Sequence, residues 1–347
     1  MAMADVTIRG AGIFGLSIAW ACLRRGATVR VIDPHGVGAG SSGGIVGALA
    51  PHTPENWNPK KAFQFDSLIA AEGFWRAVEA TSGIPSGYDR KGRLQSLADD
   101  RAVTLARARA DTARALWNGK AAWRVLPATD VPDWAPLSPT GLLVEDTLSA
   151  RIHPRQACES LASAIRARGG EILQEGPDAG QVIWATGWQG LQDLSTKLDR
   201  PVGNGVKGQA VLLRHRAPDH APQLFHDGLH IVPHADGTTA IGSTSERDFD
   251  DPTGTDHQID TLIERAVDAV PILHGAEVIL RWAGVRPRAR SRAPMLGPWP
   301  DRPGHFIANG GFKIGFGMAP GIARVMAALV LEGRDDIPAD FRVEASL

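Results

Sequence analysis

The residues best suited to chemistry stand near the start of the chain. Gly10-Ala11-Gly12-Ile13-Phe14-Gly15 is followed, at the end of the next apolar run, by an acid, Asp33. Three glycines at this spacing have separate uses: Gly10 permits a tight turn, Gly12 lets backbone approach a pyrophosphate, and Gly15 lets helix and strand pack closely. A helix opening at this point would offer free N–H groups and its positive dipole end to phosphates. Asp33 is placed to accept hydrogen bonds from ribose hydroxyls. The chemistry indicated is dinucleotide binding, provided the glycines lie between strand and helix; elsewhere they would be only a glycine-rich turn.

The surrounding residues supply that context. Val6–Arg9 reads as a short strand, a helix runs through Leu23, and Thr28–Ile32 reads as a second strand leading to Asp33. Small residues then dominate from Gly36 to His52, with Ser41, Ser42, Gly47, Ala48 and Leu49 among them, so that backbone can pass close to a large flat ligand. A nicotinamide-binding domain would go on alternating strands and helices here; this chain gives a loop and then a helix over about 59–81. Further along, 181–188 reads as a buried strand ending in Ala185-Thr186-Gly187. Phe306 begins a strand and glycine loop, Gly310-Gly311-Phe312-Lys313-Ile314-Gly315, before a helix over about 317–331. Between these lie a strand at 91–97, a helix at 100–116 capped by Asp99 or Asp100, a proline-rich connection at 128–139, a hairpin at 230–244 turning at Asp236-Gly237, and an amphipathic helix at 255–270.

Composition narrows the class. A chain of 347 residues should hold about two domains. The net charge of −1 disfavours nucleic acid or an anionic membrane as the main partner. Cys22 and Cys158 fall in expected helices far apart and read as small core residues, with no disulfide, redox pair or metal site. No apolar run is expected to approach the length of a membrane span, and the N-terminal stretch lacks the basic region of a secretory signal; the expected compartment is the cytoplasm.

With these motifs in hand, the chain resembles the D-amino acid oxidase and glycine oxidase family of FAD-dependent amine oxidases, nearly end to end. The FAD fingerprint is similar to Gly10–Gly15 with Asp33, though glutamate is the commoner acid, and the small-residue flavin loop is similar to Ser41–Pro51. The family's D/H-P-R helix start resembles His153-Pro154-Arg155, and its A-T-G strand resembles Ala185–Gly187. The Y-I-V-P and I-G-A-T hairpin resembles His230-Ile231-Val232-Pro233 with Ala240-Ile241-Gly242-Ser243-Thr244. The W-x-G-x-R-P motif is matched by Trp282-Ala283-Gly284-Val285-Arg286-Pro287.

The resemblance implies an α/β fold, in which a Rossmann-type FAD-binding domain (1–85, 141–200 and 276–347) is interleaved with an antiparallel-sheet α+β substrate domain (86–140 and 201–275). It implies non-covalent FAD, a small amine or amino-acid substrate such as glycine or a D-amino acid, hydride transfer from the substrate α-carbon to flavin N5, and molecular oxygen reduced to hydrogen peroxide. A homo-oligomer is compatible with it. It also allows two other activities: a tRNA wobble-uridine-modifying oxidase, which 58–65 loosely resembles, and a flavin dehydrogenase or partner subunit using another electron acceptor.

Site residues follow from the same resemblance. Arg286 is the expected carboxylate clamp, because a guanidinium fork binds a carboxylate bidentately and stays charged when desolvated; the alternative is a structural arginine within the run 281–292. His230 stands where the family usually has a carboxylate-holding tyrosine, and it could donate to a carboxylate, titrate near neutral pH or sit at the surface. Lys313, with the N–H groups of Ile314 and Gly315, would face the flavin pyrimidine edge, unless it is merely a solvated lysine. Around the substrate, His52 either nears the pocket or caps a local turn, and Trp57 is either a lid or a packing plug. Ser245 replaces an oxygen-activating lysine of sarcosine-oxidase-like relatives.

Overall fold

The computed structural model describes residues 4–347, so the first three positions of the expected FAD-binding segment lie outside it. The opening folds as strand β1 (Val6–Arg9), helix α1 (Ile13–Leu23) and strand β2 (Val29–Ile32). α1 is apolar on every face, and it is accordingly buried on every face, with only Ala21 part-exposed. After the small-residue loop come β3 (Ala48–Leu49), α2 (Pro59–Ser82), β4 (Arg93–Ser96), α3 (Asp100–Trp117), β5 (Trp123–Pro127), β6 (Leu142–Asp146) and β7 (Ala150–Arg151). α2 starts where Asn58 Oδ1 accepts the Lys61 N–H at 3.1 Å and Pro59 takes the first helical position, and it stops at Gly83 in the left-handed region. Of the two aspartates that could cap α3, Asp99 does so, accepting from the Ala102 N–H at 2.7 Å.

The second half contributes α4 (Pro154–Ala167), β8 (Glu171–Leu173), β9 (Gln181–Trp184), α5 (Gly187–Lys197), β10 (Gly203–Arg214), β11 (Gln223–His226), β12 (Leu229–Pro233) and β13 (Thr239–Gly242). It closes with α6 (Gln258–Ala269), β14 (Glu277–Ala289), β15 (Met295–Pro298), β16 (His305–Asn309) and α7 (Gly315–Glu332). Two large sheets result. A six-stranded sheet in the order β15-β16-β9-β1-β2-β8 is parallel throughout except at β15, while an eight-stranded sheet in the order β14-β10-β13-β12-β11-β4-β6-β5 is antiparallel except where β11 meets β4.

Sheet membership departs from the expected boundaries at two places. β6 and β14 belong to the larger sheet, although 141–200 and 276–347 were expected on the FAD-binding side. The reason is pairing: β14 runs antiparallel to β10 along nearly its whole length, from Gly203↔Ala289 to Arg214↔Glu277, and β6 is held between β4 and β5. A boundary read from motifs cannot see which edge a strand hydrogen-bonds.

Helix α7 corrects a second expectation. It is long and apolar enough to cross a membrane by length and composition, yet 67 % of that stretch is buried within the protein, where α7 packs on α1 and α2. Its apolar faces are consumed by the core. Pro320 lies inside it, and the Ser67 hydroxyl from α2 enters the helical ladder, donating to the Gly317 carbonyl at 2.7 Å and accepting the Gly321 N–H at 3.0 Å.

Candidate active site

The two sheets and the α1 and α7 ends enclose one large cavity of about 910 Å³. At one end, β1 turns through Gly10 into α1. A Cβ at Gly10 would meet the Ala185 carbonyl oxygen at 2.3 Å, and one at Gly15 would fall 1.9 Å from the Gly10 carbonyl oxygen, so both glycines are required by close backbone approach. The Asp33 carboxylate accepts from the Ala11 N–H at 2.8 Å and the His35 N–H at 2.9 Å, which ties the acid to the turn it follows. The Ser42 hydroxyl accepts from the Ile13 N–H at 2.9 Å, bringing the small-residue loop over the start of α1.

The expected residues are largely brought together. Gly10, Gly12, Ile13, Phe14, Asp33, Ser41, Ser42, Gly47 and Ala48 line this end and the middle of the cavity, as do Ala185, Thr186 and Gly187 beyond β9. Gly311, Phe312, Lys313 and Gly315 line it from the loop before α7. That loop is fixed on both sides: the Phe312 N–H donates to the Pro287 carbonyl at 2.9 Å, and a Cβ at Gly311 would meet the Phe14 ring at 2.8 Å. Gly15, Leu49, Gly310 and Ile314 stand behind the lining; Gly310 holds a left-handed conformation and donates to the Asn309 side chain at 2.8 Å.

Arg286, His230 and Lys313 border the cavity together. Arg286 comes from β14, opposite Val206 of β10, and its guanidinium lies over Gly208, where a Cβ would fall 1.9 Å from Nη2. Nη2 donates to the Ser243 hydroxyl at 2.5 Å and Nη1 to the Thr244 carbonyl at 3.4 Å. Burial lowers its pKa to about 10, against the pull of Glu246, so it stays charged at neutral pH. Among the described residues no carboxylate forms an ion pair with Arg286 or with Lys313. Lys313 is exposed at the rim; partial burial, then the charges of Arg286 and Arg288, pull its ammonium below the usual lysine range. His230 does not titrate near neutral pH: burial, followed by the charges of Arg93 and Lys313, pushes it down to about 3. Its Nδ1 is enclosed without a hydrogen-bond partner and its ring lies 4.9 Å from that of Phe225.

Three residues fall outside the lining. His52 is tied by its ring Nδ1 and its N–H to the Gln64 side chain, the latter at 2.7 Å. Trp57 packs edge-on against Phe65 at 6.1 Å between ring centroids, a plug on the core. Ser245 is exposed. Sequence reasoning missed Ser243, Trp188, Phe225 and Asn309, all of which line the cavity. Only Ser243 had a visible signal, as a serine where the similar motif carries alanine.

The family model of FAD-dependent oxidoreductases (DAO) matches residues 5–329. This chain belongs to that family. The DAO chain is 26 % identical to the glycine oxidase of Pseudomonas putida, a match spanning 99 % of each protein. In fold it is similar to the crystal structure of glycine oxidase from Geobacillus kaustophilus, with a TM-score of 0.86, 21 % identity and 98 % of both chains covered. It is similar also to iminodiacetate oxidase from Chelativorans sp. BNC1, with a TM-score of 0.83, 22 % identity and 97 % and 98 % covered.

Like its family, the DAO chain is an FAD-dependent oxidoreductase. Its residues fit that cofactor. At Gly12, on the cavity wall, any side chain would crowd the Ser42 hydroxyl at 3.1 Å and enter the space a pyrophosphate needs. Neither cysteine lines the cavity, and burial pushes both thiols up to about 12, so no thiolate stands ready for a covalent link.

Proposed function

We propose that this chain oxidises a small amino acid, glycine or a D-amino acid, at its amine-bearing carbon, with oxygen as the final acceptor and hydrogen peroxide as product. Bound FAD supplies the two-electron acceptor. The observation that carries the reading is Arg286: a charged guanidinium on the cavity wall, fixed by a hydroxyl and a carbonyl and paired with no carboxylate among the described residues. A fixed guanidinium of this kind holds a substrate carboxylate in one orientation, which converts binding into alignment of the reacting C–H bond. Lys313 adds a second positive charge at the rim, suited to an electron-rich partner. His230, neutral, is left as a hydrogen-bonding group of the pocket.

The RNA reading draws less support. Of the two lysines in the segment that suggested it, Lys60 donates to the Arg292 carbonyl at 2.6 Å and Lys61 to the Thr53 carbonyl at 3.0 Å, so both are spent on backbone. The test is peroxide release by the purified yellow protein across glycine, sarcosine and D- and L-amino acids, with flavin bleaching recorded in the absence of oxygen. Turnover with a small amino acid, with KM raised at least tenfold by Arg286→Ala, is the expected result. Bleaching without peroxide would replace oxygen by another acceptor, and no reaction with any free amino acid would refute the substrate class.

A further inference from the structure

The pocket lacks the aromatic hydroxyl that the similar family motif places at position 230, but a hydroxyl stands one residue beyond that position's cross-strand partner. In the β12–β13 pairing His230 lies opposite Gly242, and Ser243 follows directly, in the place of the motif's alanine. Ser243 lines the cavity beside Arg286. Its oxygen accepts from Arg286 Nη2 at 2.5 Å, and among the described residues its own proton goes to no protein acceptor. A hydroxyl has one proton and two lone pairs. With a lone pair committed to the guanidinium, the O–H is turned away from Arg286 and available to an acceptor in the cavity.

We propose that Ser243 is a substrate-binding residue, donating its hydroxyl proton to the same carboxylate that Arg286 holds. The inference rests on the amino-acid reading above and deepens it: the substrate carries a carboxylate gripped by a guanidinium and a hydroxyl together. Because its oxygen is polarised by a cation, the hydroxyl is a stronger donor than a free serine. A hydroxyl thereby reaches the carboxylate from the neighbouring strand end, and His230 lines the pocket as a neutral ring.

The behind-the-site residues explain why Ser243 holds this position. The Gln209 N–H donates to the Thr244 hydroxyl at 2.7 Å, the Thr244 hydroxyl donates to Glu246, and the Gln209 side chain donates to Glu246 at 3.2 Å. The Thr244 N–H donates to the Gln209 carbonyl at 3.1 Å. This network pins residues 244–246 to β10, and Ser243 with them.

The test uses the holoenzyme and reads binding through perturbation of the flavin absorbance, with acetate as the carboxylate probe and acetamide as its neutral counterpart. Ser243→Ala is expected to weaken acetate about tenfold or more, the worth of a hydrogen bond to a charged group, with acetamide changed less than twofold. The same loss is expected when Ser243→Ala is made on an Arg286→Lys background, because a direct contact survives there and a role exercised only through Arg286 does not. Ser243→Thr, which keeps the hydroxyl, should bind acetate within a few-fold of the unaltered enzyme, which guards against a folding artefact in the alanine variant. Acetate binding within twofold of the unaltered enzyme in Ser243→Ala, or a loss that vanishes on the Arg286→Lys background, would overturn the proposal while leaving the amino-acid reading intact. If the unaltered enzyme binds no acetate and oxidises no amino acid, the amino-acid reading fails and this inference with it.

Discussion

A methyl group at Gly208 tests the clamp by displacing the Arg286 guanidinium while leaving that residue in the chain. The added Cβ of Gly208→Ala would lie 1.9 Å from Arg286 Nη2 and 2.2 Å from Cζ. To regain contact at 3.4 Å the guanidinium must retreat by about 1.5 Å, and its bond to Ser243 at 2.5 Å cannot survive that move. The obstacle is the end of a flexible side chain and not backbone, so the fold absorbs the change. Alanine recovers about 0.5–1 kcal/mol over glycine in a strand. Loss of a charge-assisted hydrogen bond costs about 1.5–3 kcal/mol, leaving a net destabilisation of about 0.5–2.5 kcal/mol. The functional cost is larger, because a misplacement of about 1 Å in a positioning group is worth roughly a hundredfold in rate, or about 2.7 kcal/mol of transition-state stabilisation. The assay is kcat/KM for the best amino-acid substrate, with flavin content and thermal unfolding measured on the same preparation. A drop near a hundredfold with FAD retained is expected. Turnover within threefold of the unaltered enzyme would show that the observed place of this guanidinium does not govern the reaction.

Three further outcomes are expected. Gly15→Ala sets a Cβ 1.9 Å from the Gly10 carbonyl oxygen, where only backbone can yield, and it should give protein that is insoluble or free of flavin; a yellow, stable variant would refute the packing argument. His230 and His234 are pushed down to about 3 and about 4, each by burial first. The unfolded chain then binds more protons than the folded one below about pH 6.5, so their contribution to stability is complete above that pH and is lost as pH falls toward 4. Thermal unfolding followed from pH 7 to 4 should therefore show a shallower acid limb in His234→Gln, and an unchanged slope would count against it. Trp57→Ala should lower stability by about 3 kcal/mol or somewhat less for this part-buried ring, with KM unaltered; a raised KM at unchanged stability would make it a lid after all.

The legible part of this protein is the part whose function depends on backbone. The spacing of Gly10, Gly12 and Gly15 between a strand and a helix can be read along the chain, and Gly15 is demanded locally by the Gly10 carbonyl, although the atoms that would crowd a Cβ at Gly10 and Gly12 come from distant Ala185 and Ser42. The same is true of a cap at Asp99 or Asp100, a helix start at about Pro59 and the hairpin around Asp236-Gly237. The residues it left ambiguous are those whose meaning depends on what faces them. His52 and Trp57 look like pocket residues until Gln64 and Phe65 are seen holding them elsewhere, and helix α7 has a membrane-like composition until α1 and α2 are placed against it.

Local sequence thus determined the strand–turn–helix fingerprint and the order of most elements, while the family resemblance singled out Arg286 as the candidate guanidinium. Tertiary structure alone decided which sheet β6 and β14 join, that His230 is a neutral group and not a titrating one, and that the hydroxyl beside Arg286 belongs to Ser243. The physical reason is the same in each case. Turn geometry and helix capping are short-range and set by neighbours in the chain, whereas strand partners, desolvation and the seat of a buried charge arise from residues tens to hundreds of positions away.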